Sequence, residues 1–156
     1  MEYSIEIAEA IKNILTQDEM NFDFNSAKGM FKFNANISGK ITRLSYVIAV
    51  RKRDFIVYAM CPVKADSEDS KLMAEMSEFL TRVNYNLING NFEMSYKNGN
   101  IDFKMFHYCG NTIPDDSILK ICILISMKAF QKYSKGILGI ASGTMTGEQA
   151  YDLCKD

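Results

Sequence analysis

Few residues in this chain are of types that do chemistry, and their spacing decides how they read. The single histidine, His107, stands two residues before Cys109. On a strand that spacing places both side chains on one face, where an imidazole could draw the proton from a thiol and leave a nucleophilic thiolate. A strand-end histidine satisfied by a backbone partner is the simpler reading. Asp115 and Asp116 are a second candidate, paired carboxylates suited to general acid–base work or to a divalent cation. They follow Pro114 at a predicted helix start, where acids suit the positive end of the helix dipole without any chemistry. Gly136-x-x-Gly139-x-x-x-Gly143 resembles a phosphate loop superficially. It follows a helix rather than a strand and lacks Gly-Lys-Ser/Thr, so helix termination and close packing account for it.

Cys61, Cys109, Cys122 and Cys154 show no C-x-x-C spacing, and one histidine cannot form a metal-binding pair. No cofactor or metal is expected, and the chain reads as non-enzymatic. The competing reading is a small-ligand-binding protein or weak hydrolase using His107 with Cys109, or Asp115 with Asp116. Isolated cysteines behave as small buried apolar residues in a reducing cytoplasm, which is the expected location. The N-terminal MEYSIEIAEA has no basic-then-apolar run, so no signal peptide is read there. The most apolar segment, Ile118 to Phe130, is interrupted by Lys120 and Lys128 and is too short to span a bilayer, so no membrane partner is expected.

With 156 residues, 47% hydrophobic and 24% charged, the chain fits one globular domain over 1–156. A net charge of −1 with interspersed signs gives no field for nucleic acid or anionic lipid. Arg51-Lys52-Arg53, the longest basic run, reads as a solvated turn closed by Asp54. Phe31, Lys32 and Phe33, and likewise Phe103, Lys104 and Phe106, interleave aromatics with lysines as base-stacking sheets do. Most of these aromatics fall on the face predicted to be buried, so no nucleic-acid partner is expected.

The elements that must position these residues follow from periodicity. Residues 4–16 read as an amphipathic helix with Ile7, Ala8, Ile11, Ile14 and Leu15 inward and Glu2, Glu6, Glu9 and Asn13 outward. From Asn21 to Ile37 the period is two, with Phe31, Phe33, Ala35 and Ile37 on one face; Phe22 and Phe24 either belong to this strand region or form a strand of their own. Strands are predicted over Arg43–Val50 and Asp54–Cys61, ended by Pro62. A helix over Ser67–Leu87, with Asp66 and Ser67 as capping candidates, carries the stripe Leu72, Met76, Phe79, Leu80, Val83 and Leu87. Asn98-Gly99 between alternating runs predicts a type I′ hairpin, placing Tyr96 opposite Ile101, Met94 opposite Phe103, Phe92 opposite Met105 and Glu93 opposite Lys104. A helix opened by Pro114 is predicted to run to about Ser134, with Ile121 and Leu124 in its polar arc, before Gly136, Gly139 and Gly143 break it. Thr146-Gly147-Glu148-Gln149 fits a capping box for a short last helix. The class is α+β, a mostly antiparallel sheet of about five strands, in the order αβββαββα plus a short C-terminal helix.

The two middle strands are apolar on both faces. Leu44, Tyr46, Ile48 and Val50 alternate with the apolar Val47 and Ala49; Phe55, Val57, Ala59 and Cys61 alternate with Ile56, Tyr58 and Met60. One helical layer covers one side of a sheet, which leaves Val47, Ala49, Ile56, Tyr58 and Met60 as a candidate partner or dimer interface. Alternatively the N-terminal helix covers that second face, giving a three-layer monomer.

Pro62 after a strand, a helix reaching Phe79-Leu80-x-x-Val83-Asn84, Gly90-x-Phe92, Asn98-Gly99 leading into Ile101-x-Phe103, an apolar helix, and Gly147-Glu148-x-Ala150 after Gly143 together resemble the YbjN family over roughly residues 5–153. The chain departs from that pattern in its long Asn21–Met30 segment. The resemblance implies a bacterial cytosolic domain, associated with sensory transduction and without an established enzymatic activity. It also implies a fold similar to type III secretion chaperones, which bind unfolded stretches of secreted partners and commonly dimerise. The expected function is a non-enzymatic protein-binding module, chaperone- or adaptor-like with a regulatory role, acting as a homodimer with a polypeptide partner.

Overall fold

The structure, a computed structural model, describes residues 3–155, so Glu2 lies outside the described residues. Among these, the elements in order are α1 (Ile5–Gln17), β1 (Phe22–Asn25), β2 (Met30–Asn36), β3 (Arg43–Val50), β4 (Asp54–Met60), α2 (Ser70–Asn86), β5 (Asn91–Met94), β6 (Ile101–Tyr108), α3 (Asp116–Ala141) and α4 (Gly147–Cys154). The strands form one antiparallel sheet in the order β1-β2-β3-β4-β6-β5. The α+β class therefore holds, with six strands rather than about five. The added strand is β1: Phe22 and Phe24 pair with Phe33 and Phe31 across a turn in which the Asn25 side chain accepts from the amides of Ala27 and Lys28, both at 3.1 Å.

Periodicity located the helices well and their ends less well. In α1 the buried set is Ile7, Ala8, Ile11, Ile14 and Leu15, as the spacing predicts, with Ser4 as N-cap. Helix α2 starts three residues later than expected because Asp69, not Asp66 or Ser67, accepts from the amides of Lys71 and Leu72. Its buried stripe accordingly includes Met73, while Leu72 is only half-buried. Pro114 stands outside α3, whose N-cap is Asp115. The capping box of α4 between Thr146 and Gln149 is present.

Helix α3 corrects a larger expectation. It does not stop near Ser134 but runs 26 residues, through Gly136 and Gly139, to Ala141. A β-carbon on Gly136 would stand 2.6 Å from the Phe79 ring, and one on Gly139 would stand 2.6 Å from Met145 Sδ. These glycines let α2 and the segment before α4 approach the α3 backbone. Packing offsets their low helix propensity, about 1 kcal/mol each relative to alanine. Gly143, at φ +71, is where the chain leaves the helix. Ile121 and Leu124 are exposed, as the helical wheel indicates.

The β5–β6 hairpin keeps its faces but not its predicted register. Phe92 pairs with Phe103, Met94 with Ile101 and Glu93 with Asp102, a shift of two residues. A type I′ turn needs φ > 0 at both central residues, and only Gly99 has it, at +70. The loop instead spans residues 96–99, with Ser95 O accepting from the amides of Asn98 and Gly99 and Ser95 N donating to Asn100 O at 2.9 Å. A two-residue shift preserves side-chain parity, so Phe92, Ile101, Phe103 and Met105 are buried as expected, whereas Tyr96 falls in the loop and is exposed. The wider loop carries Gly99 against the chain entering α2, where Gly99 O accepts from Ala65 N at 3.0 Å. The outer margin of β5 is held by Asn84 of α2, which donates to Phe92 O at 2.9 Å and accepts from Phe92 N at 2.8 Å.

All four helices bury side chains in one cluster with Phe31, Phe33, Leu44, Tyr46, Ile48, Phe55, Val57, Ala59, Phe92 and Phe103. Helix α1 belongs to it and packs beside α3. The three-layer arrangement, with α1 over the second face, is thereby overturned. The reason is geometric: Ser4 donates to Arg51 O at 3.1 Å, which fixes the start of α1 at the β3–β4 end, and its single apolar stripe joins the core there. Inside the core, the Tyr46 hydroxyl lies 2.9 Å from Ser126 Oγ, which donates to Ile123 O at 2.7 Å.

Two measurements check this account. Gly99→Val is expected to lower stability in urea melts by roughly 1–3 kcal/mol from left-handed strain alone, and further because its β-carbon would overlap Ala65 O; an unchanged midpoint would refute the turn assignment. Burial pushes Tyr46 from 10.0 up to about 12, and Cys61 and Cys122 from 9.0 up to about 11. The unfolded chain releases these protons at lower pH, so their contribution to stability is intact below about pH 9 and is lost as pH rises through 11 and 12. Tyr46→Phe should cost roughly 0.5–1.5 kcal/mol near neutrality and make the alkaline fall shallower in thermal melts.

Candidate functional site

Antiparallel pairing aligns residues in rows across the sheet, and each row faces one side. The rows Phe33–Tyr46–Ala59–Phe103–Phe92 and Phe31–Ile48–Val57–Met105 face the helices. The intervening rows face away: Met30–Ala49–Ile56–Phe106, then Lys32–Val47–Tyr58–Lys104, then Asn34–Ser45–Met60–Asp102–Glu93. None of the apolar members of these away-facing rows belongs to the core cluster or packs against it. The expected interface residues Val47, Ala49, Ile56, Tyr58 and Met60 thus share one contiguous open face.

Their exposure is graded. Ile56 is 8% exposed, screened by its neighbours on the face, and Val47, Ala49, Tyr58 and Met60 are half-buried. The side chains that stand furthest out are Phe106, 54% exposed, and Tyr108, 60% exposed. Sequence reasoning missed both, together with Met30. The signal for the aromatics was present: in β6, Ile101, Phe103 and Met105 are inward, so the even positions face the other way. Met30 was assigned to no face, and it pairs with Ala49.

Charges rim this strip. The β3–β4 turn carries Arg51, Lys52 and Arg53, and Arg51 binds Asp54 through Nε at 2.6 Å and a second nitrogen at 3.2 Å. These four residues and Tyr108 line a hollow of about 540 Å³. At the other end Glu93 lies directly opposite Asp102, and Lys104 binds Glu93 at 3.0 Å while its ammonium sits 5.8 Å from the Tyr58 ring centroid. Burial, and then the neighbouring Glu93, pushes the Asp102 carboxyl above the usual carboxylate range. A second hollow of about 520 Å³ runs across Asp23, Lys32, Asn34, Ser45, Val47 and Met60.

The residues picked out for chemistry are not brought together. His107 pairs with Phe55, its ring tilted over that phenyl at 5.3 Å between centroids. Cys109 is buried at the strand end, its amide donating to Arg53 O, and among the described residues no hydrogen bond joins it to His107. Burial, and then Asp54, pushes the Cys109 thiol up, which disfavours the thiolate. Asp115 accepts from the Ser117 amide at 2.8 Å, and that bond holds its carboxyl below the usual range. Asp115 and Asp116 are therefore occupied as cap and first-turn acid. Five surface hollows of 370–540 Å³ among the described residues are lined by other side chains. Gly136 and Gly139 lie inside α3 and form no loop. Of the interleaved aromatics, Phe31, Phe33 and Phe103 are in the core, and Phe106 faces outward. Among the described residues no helix is long and apolar enough to cross a membrane.

Compared with known proteins, the chain matches no family model and no curated relative.

Thiol reactivity reports on the Cys–His reading directly. A shift from 9.0 to about 11 leaves Cys61 and Cys122 with about a hundredfold less thiolate near neutrality than in an unfolded chain. Labelling with a chromogenic disulfide at pH 7.5 should be slow for the native protein and rapid for four thiols in guanidinium. Fast native labelling at Cys109 would restore the nucleophile.

Proposed function

We propose that this chain is a non-enzymatic protein-binding module that acts as a homodimer through the open face of its sheet. The observation that carries the reading is the contiguous apolar set Met30, Val47, Ala49, Ile56, Tyr58, Met60, Phe106 and Tyr108, left outside a core that already engages every helix. Strand-centre apolar side chains facing solvent raise the free energy of an isolated monomer, and burying them against protein recovers about 25 cal/mol per Å². Tyr58 at the centre of the strip, Phe106 and Tyr108 toward its margin and charges at its rim match the usual anatomy of an interface. The chaperone- or adaptor-like, regulatory role that the YbjN resemblance implies belongs to the same proposal, as does a polypeptide partner held by the module. Four free cysteines fit a reducing compartment, and a cytoplasmic location is proposed on that ground.

The strip is roughly 20 Å along the strands and four strands wide, so a dimer built on it falls toward the small end of specific interfaces and should dissociate reversibly. Sedimentation velocity across a micromolar series should show a concentration-dependent dimer. A monomer at high micromolar concentration would remove the homodimer from the reading. Tyr58→Lys, which places an uncompensated charge at the centre of the strip, should weaken self-association by tenfold or more; an unaltered dimer would move the interface elsewhere.

A further inference from the structure

We infer that two copies of this chain meet face to face about a two-fold axis lying in the sheet plane and crossing the strands, so that the Arg51–Arg53 turn of each copy seats on the Glu93–Asp102 corner of the other. This rests on the homodimer proposed above and specifies its geometry.

The two ends of the open face are electrically unlike. At the β3–β4 end, Arg51 is taken up by Asp54, whereas Lys52 and Arg53 have no carboxylate within salt-bridge distance among the described residues. Their backbone is fixed, because Arg53 O accepts from the amides of Cys109 at 2.8 Å and Gly110 at 3.0 Å. The two cations therefore project from an anchored turn beside the hollow that Tyr108 helps to line. At the other end Glu93 and Asp102 face one another across β5 and β6, an arrangement of like charges that disfavours the pair. Lys104 answers Glu93 at 3.0 Å, and among the described residues no cation lies within salt-bridge distance of Asp102. A half-buried carboxylate beside another carboxylate is stabilised by a cation supplied from outside.

An interface between identical copies uses one patch twice, so the patch must complement itself. Asp54 at one end and Met60, which pairs with Asp102, at the other are six residue steps apart along the strand, roughly 20 Å. An axis crossing the strands between the Ile56 and Tyr58 rows reverses the second copy end for end. The Val47–Tyr58 row of each copy then stacks on the Ala49–Ile56 row of the other near the axis, and each Arg53 arrives over the Met60–Asp102 row of the other copy. An axis parallel to the strands would oppose basic turn to basic turn and acidic corner to acidic corner. Charge selects the first arrangement.

Charge exchange between two variants tests it. Arg53→Glu alone sets carboxylate against Asp102 at both symmetric contacts, and Asp102→Lys alone sets ammonium against Arg53. Each should dimerise at least about tenfold more weakly than the parent chain. Mixed in equal amounts, the two variants form a heterodimer with one exchanged and one native pair, and sedimentation should show dimer restored to near the parent level. Restoration also demonstrates that both variants are folded. Either variant dimerising as the parent does, or a mixture that stays monomeric, would overturn the charge arrangement. If Tyr58→Lys disrupts the parent dimer while the charge variants leave it intact, the face remains the interface and only this geometry falls. A parent chain that is monomeric at high micromolar concentration overturns both and leaves the face to a different polypeptide.

Discussion

The rest of the structure depends on how closely α3 is allowed to lie to its neighbours. A 26-residue helix with more than one apolar stripe must be contacted on several sides at once. The sheet takes one side, α1 a second, and α2 with α4 a third. Gly136 makes the last approach possible by leaving room for the Phe79 ring, and Glu75 of α2 accepts from the Gly147 amide at 2.7 Å to lock α4 in place. Around Phe92, edge-to-face contacts with Phe103, Phe130 and Tyr133 join β5, β6 and α3. Once all four helices are engaged in this way, none is left for the other side of the sheet. The open face is the remainder of a core that closes on one side only.

Much of the fold was legible from residue types. The five inward positions of α1 repeat at helical spacing, and the boundaries of β3 could be read from alternation alone, because both signals are local. The errors have a common cause in contacts between distant segments. Gly136 and Gly139 look like helix breakers until Phe79 and Met145 are placed against them. Asn98-Gly99 looks like a two-residue turn until Gly99 is seen bonded to Ala65, which favours the wider loop. Parity limited the damage: a shift of two residues changes every cross-strand neighbour and no face assignment. The exchange of Glu93's opposite number from Lys104 to Asp102 is nevertheless what creates the unbalanced corner.

The candidate site was half visible. Strands apolar on both faces announced a second surface, and Val47, Ala49, Ile56, Tyr58 and Met60 do share it. Phe106 and Tyr108 were passed over because alternation in β6 had been used only to find the core. The outcome for His107, Cys109, Asp115 and Asp116 was set by local geometry that spacing does not encode: a ring packed on Phe55, a thiol turned into the core, and a carboxylate spent on a helix cap. A reactive group needs a space in front of it, and sequence reports the group without the space.

Asn84 has a further consequence. By donating to and accepting from Phe92 it presents β5 with what a neighbouring strand would offer, one residue long and covalently part of α2. The outward backbone groups of Phe92 are therefore already taken within the chain. Polymerisation by strand addition needs two sticky ends on every unit. Strand addition along β5 must first displace a bond pair that α2 already makes, which sets one obstacle to edge-to-edge growth in a molecule that keeps a broad apolar face.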